Sequence, residues 1–118
     1  MKRFLAIYTG SDDAFESSGW NALDASGQEA RSKQGMAAWT HWVAAHQASI
    51  FDIGTPLGKT KIASPEGISD IRNAMVGYVI VQAKTHDAAA KLFENHPHFS
   101  VFPGEAVEIM ECLPLPGQ

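Results

Sequence analysis

The chain has 118 residues, 45% of them apolar and 19% charged, and a formal net charge of −4. This length is enough for one compact domain with a core that needs neither disulfides nor a structural metal. The nine basic residues form no cluster beyond Lys2-Arg3, which argues against a nucleic-acid partner. The single cysteine, Cys112, excludes an internal disulfide and a cysteine zinc site.

A lone cysteine fits a reducing compartment, and Cys112 reads as a small apolar strand residue rather than a nucleophile. The apolar run from Phe4 to Tyr8 is too short for a signal segment, and nothing approaches the length of a membrane span. The expected setting is soluble and cytoplasmic, with no membrane partner.

Residues 3–9, RFLAIYT, form a β-rich run that stops at Gly10 and predict a strand. Residues 11–25 lack a period and predict a loop with one helical turn near Trp20, pinned by Phe15 and Trp20. Ser26 and Glu29 have the spacing of a capping box, from which a helix is expected to run to about Ser49. Met36, Trp39, Trp42, Val43 and Ile50 make its apolar stripe, with His46 inside that stripe. Residues 50–54 alternate as a second strand. The segment GTPLGK then turns, KTKIAS predicts a short strand, and PEGISDIRN a polar loop.

AMVGYVIVQA is the strongest strand signal, with Val76, Tyr78, Ile80 and Gln82 on one face. Thr85 and Asp87 suit a helix N-terminus, and Ala89, Leu92, Phe93 and His96 stripe that helix up to Pro97, which should stop it. His98 is placed in the following loop, anchored by Phe99 and Phe102 and turned by Pro103-Gly104. GEAVEIMECLP is the last strand. The order predicts an α+β, ferredoxin-like β-α-β-β-α-β fold with an antiparallel sheet and both helices on one face. The uncovered face would carry apolar side chains, which marks an interface.

Five segments in this order, KRFLAIY, GMAAW, GTPLGKTK, GYVIVQA…THDAAAKLFENHP and PGEAVEIMECLP, resemble the YCII-related family. The resemblance implies a single domain over residues 1–118, with 11–25 as a loop insertion and 113–118 as a tail. It also implies a homodimer whose two sheets pack face to face as a dimeric α+β barrel. Some members of the family use a His in the first helix with a nearby Asp as a catalytic pair. Here the corresponding His position falls on or near Ala38.

Three residues remain as catalytic candidates. His46, beside two indoles, could serve as a general base; its ordinary reading is a core-edge histidine. Asp52, a carboxylate in a β-rich run, needs a donor if buried; Lys59, Lys61 or Arg72 could supply it, or could hold an anion. His98 is the third. His96 and His98 lack metal-ligand spacing, so no metal is expected, and no histidine stands out as an axial ligand for a cofactor. Trp39, Trp42 and Tyr78 are expected as substrate-binding walls. The functional expectation is a small-molecule enzyme using a His/Asp acid-base pair; the alternative is a non-catalytic dimeric ligand-binding or regulatory module. The expected site lies where the second strand, the Gly54–Lys61 turn and the His98 loop meet.

Overall fold

A computed structural model of the chain describes residues 1–11, 18–100 and 104–117. Phe15, Phe102 and Pro103 lie outside the described residues. Strand β1 (Lys2–Thr9) is followed by a 3-10 turn at Trp20–Ala22, helix α1 (Ala25–Ala45) and strand β2 (Ile50–Pro56). A hairpin of β3 (Thr60–Ser64) and β4 (Gly67–Ile71) leads to β5 (Met75–Ala83), helix α2 (His86–Lys91), the short helix α3 (Pro97–Ser100) and β6 (Ala106–Glu111). The main sheet has the order β2-β5-β1-β6 and all its pairings are antiparallel. This is the ferredoxin-like split βαβ arrangement expected from the sequence. Among the described residues no helix is long and apolar enough to cross a membrane.

Register decides which side chains form the core. Phe4, Ala6 and Tyr8 lie opposite Val81, Val79 and Gly77, and all six are buried beneath the helices. Their neighbours Leu5, Ile7, Tyr78 and Ile80 project to the other side, where no helix covers them. Phe51, 49% exposed, lies under the Arg3 guanidinium, 3.8 Å from ring centre to carbon, on that open face.

Helix α1 docks through Trp42, whose indole N–H donates to the Leu92 carbonyl at 3.0 Å. The Trp39 ring stacks on Trp42 at 5.4 Å. Helix α2 begins at Thr85, whose hydroxyl accepts from the Ala88 N–H. It is tied to the sheet by His86, which donates to the Ile109 carbonyl at 2.7 Å.

Several boundaries differ from the sequence-based expectation. Asp24, not Ser26, caps α1, its carboxylate accepting from the Gly27 N–H at 2.7 Å. The helix ends at Ala45, and Gln47–Ser49 form a separate 3-10 turn. Residues 67–71 are a strand, not a loop; Lys61 and Asp70 pair across the hairpin at 2.6 Å and favour it. Helix α2 ends at Lys91, before the expected stop. Pro97 instead opens α3, a first-turn position where its missing N–H costs nothing. Cys112 lies beyond β6 and is exposed.

The alternation expected in β2 is broken by two register shifts on either side of Asp52. Gly54, within the second shift, has φ 69°, and a Cβ there would run into the Tyr78 carbonyl. Only glycine fits that left-handed, close approach.

Trp42 is 6% exposed and fastens α1 to the chain after α2. Trp42→Ala should therefore cost on the order of 3–5 kcal/mol in chemical denaturation. An unchanged midpoint would contradict this packing.

Candidate active site

Beside the bulge in β2, at the end of the sheet where β1 and β5 meet α3, lies a cavity of about 370 Å³. Tyr8 and Gly77 form its floor, Met36 and Trp39 one wall, and Ile53 to Pro56 the other; His96, His98 and Gly104 close the end. The walls are almost wholly apolar, as small-molecule sites usually are.

Its polar groups form one connected set. His96 is 1% exposed, with its ring 4.6 Å from Trp42 and 5.4 Å from Trp39. It stands immediately before α3 and acts as a cap: its Nδ1 accepts from the His98 backbone N–H at 3.0 Å. Its Nε2 lies 3.2 Å from the Tyr8 hydroxyl. His98 is buried, not free in a loop; its Nε2 donates to the Thr9 carbonyl at 2.8 Å. Gly104 lies flat against the His98 ring, where a Cβ would collide with the imidazole.

Burial dominates the electrostatics. It pushes His96 down to about 4, with smaller contributions from His98 and His46. Burial also lowers His98, partly offset by the Thr9 and Ala106 carbonyls beside it. The Tyr8 phenol is raised by burial, so it remains protonated. At neutral pH the cluster carries no charge and keeps its protons.

The residues expected from the sequence divide into two groups. Trp39, Tyr78 and His98 line the cavity. Trp42 stands behind Trp39, one layer away. His46 ends α1, donating from Nδ1 to the Trp42 carbonyl at 2.9 Å, with its ring 4.9 Å from the Trp42 ring. Asp52 is exposed and accepts from the Gly54 N–H at 2.9 Å. No hydrogen bond or ion pair joins His46 to Asp52, because the β2 bulge turns the carboxylate back onto its own strand. Lys61 is held by Asp70 in the hairpin, Lys59 is exposed, and Arg72 borders a separate, smaller hollow with Asn73. Tyr8 and His96 were not among the expected site residues. The available signal was the pairing of a strand tyrosine with a His-Pro-His turn.

No family model matches the chain, and no curated protein sequence matches it. Among solved structures the chain is similar to 5-chloro-2-hydroxyhydroquinone dehydrochlorinase (TftG) from Burkholderia phenoliruptrix AC1100, in complex with 2,5-dihydroxybenzoquinone. The TM-score is 0.52 at 16% identity, over 92% of this chain and 90% of that one. The likeness shows the fold alone, a ferredoxin-like α+β unit. At this identity it carries neither the YCII-related family nor a superfamily.

The depressed His96 value makes stability pH-dependent. The unfolded imidazole takes up a proton near its ordinary 6.5, the folded one only near 4. The contribution is therefore fully present above about pH 6.5 and is lost as pH falls toward 4. Unfolding free energy should drop by about 2–3 kcal/mol between pH 7 and 4.5, and His96→Gln should flatten that slope. An equal slope in both proteins, measured by urea denaturation across this range, would contradict the assignment.

Proposed function

We propose that the protein is a YCII-related homodimer of the α+β barrel superfamily, and an enzyme that takes one planar, mostly apolar ring compound into the Tyr8–Trp39 cavity. The observation that carries this reading is the convergence of Tyr8, His96 and His98 on one concave apolar cavity. An acid-base site needs titratable groups that meet in a pocket. In this reading the Tyr8 phenol takes the place of the His46/Asp52 pair as the proton-bearing group, His96 and His98 stand beside it as neutral imidazoles, and Trp39 and Tyr78 remain as walls. The dihydroxybenzoquinone bound in the structural relative is a ligand of this shape, which adds support from outside the chain.

The homodimer is supported by the open face of the sheet. Leu5, Ile7, Tyr78 and Ile80 lie there in a continuous row, with the Arg3–Phe51 pair beside them. Water-facing apolar area of this kind is normally covered, and a second copy of the same sheet covers it by symmetry. Ile80→Glu would place a charge in that interface. The wild type should sediment as a dimer at micromolar concentration and Ile80→Glu as a monomer. A monomeric wild type would end this part of the proposal.

Trp39 forms a cavity wall, so its fluorescence reports on occupancy. Titration with 2,5-dihydroxybenzoquinone or a naphthalene derivative should quench it to saturation. Trp42→Phe, which leaves Trp39 in place, should keep that response, and Met36→Trp, which fills the cavity, should raise Kd about tenfold or more. If no planar ring compound binds saturably, the cavity is not the site.

A further inference from the structure

The hydrogen-bond pattern around His96 fixes more than its position. A backbone N–H can only donate, so the Nδ1 that accepts from His98 carries no proton. The remaining ring proton must then sit on Nε2, which faces the Tyr8 oxygen. His96 thus donates to Tyr8, and the Tyr8 hydroxyl accepts. The tyrosine's own proton is left over, and no other acceptor among the described residues takes it. His98 cannot compete for a ligand in the same way: its Nε2 proton goes to the Thr9 carbonyl, and the Ala106 carbonyl lies beside the same ring.

We infer that the Tyr8 hydroxyl, aimed by His96 as a positioning residue, is a hydrogen-bond donor to the ligand, and that the cavity selects planar compounds bearing a neutral carbonyl. This rests on the reading of the cavity as a ligand site. The donor needs an acceptor, since a buried hydroxyl proton with no partner is costly. A carboxylate is a poor choice for that acceptor. No Lys or Arg lines the cavity among the described residues, and His96, with a bare Nδ1, is neutral. A carboxylate entering this apolar space would lose its hydration for a single hydrogen bond. A carbonyl oxygen loses far less and gains the same bond.

If a reaction follows, the same proton would stabilise negative charge growing on that oxygen, as an oxyanion-hole donor does. The hydroxyl oxygen would meanwhile keep its bond from His96.

The test compares three probes of nearly equal shape: 2-acetylnaphthalene, 2-ethylnaphthalene and 2-naphthoate, each titrated against wild type and Tyr8→Phe. The ketone should bind wild type about tenfold more tightly than the hydrocarbon, and naphthoate more weakly than either. Tyr8→Phe should bring the ketone down to the affinity of the hydrocarbon and leave the hydrocarbon unchanged. If all three probes bind wild type equally, the cavity is a ligand site but the carbonyl selection is wrong. If none binds, both the site and the selection are wrong. A second measurement needs no variant: nitrogen-15 NMR of the imidazoles in the free wild-type protein. It should show His96 protonated at Nε2 alone. A proton on Nδ1 would make Tyr8 the donor to His96 and overturn the inference.

Discussion

The bond from the His98 N–H to the His96 ring organises the business end of this molecule. It closes a tight turn around Pro97 and starts α3. It leaves the imidazole only one tautomer, and through that tautomer it decides which way the Tyr8 hydroxyl faces. Tyr8 in turn belongs to a central strand whose register is fixed on both sides. A local backbone contact of three residues is thereby coupled to the middle of the sheet.

Burial supports that arrangement and limits it. His96 is packed among Trp39, Trp42 and Phe93, where a positive charge is disfavoured. A histidine so placed cannot shuttle protons near neutral pH as an exposed one does. Its value is geometric and dipolar: it holds a neighbour's hydroxyl in one orientation. The proton of the cluster that no protein group shares is then on the phenol, not on His96 or on the Nε2 of His98.

Much of the fold was legible in the sequence, because its period-two and helical patterns match where the side chains go. Val79 and Val81 face the helices while Tyr78 and Ile80 do not, as the alternation in 75–83 requires. Less legible were elements set by pairing or by single backbone angles. Residues 67–71 contain glycine, serine and aspartate and look like a loop; their strand character comes from lying against β3. The β2 bulge depends on one left-handed glycine, and with it the alternation expected through residues 50–54 is lost. At the site, Trp39, Tyr78 and His98 were named from the sequence and line the cavity. Tyr8 looked like one more strand aromatic, and His96 like a helix stop. Their 3.2 Å contact joins residues 88 positions apart, which no local pattern encodes.

Gly54 and Gly104 sit so close to the Tyr78 carbonyl and the His98 ring that neither position admits a side chain. Two sides of the cavity are therefore bounded by bare main chain, whose placement belongs to the fold. Any change in the shape of the cavity must therefore go through the side chains of Met36, Ile53 and Val76, which also line it. These three are 40–59% exposed, so they can change with little penalty to the core. The scaffold separates a fixed polar end from an adjustable apolar rim, and any diversification of the cavity's shape would be written in those three positions.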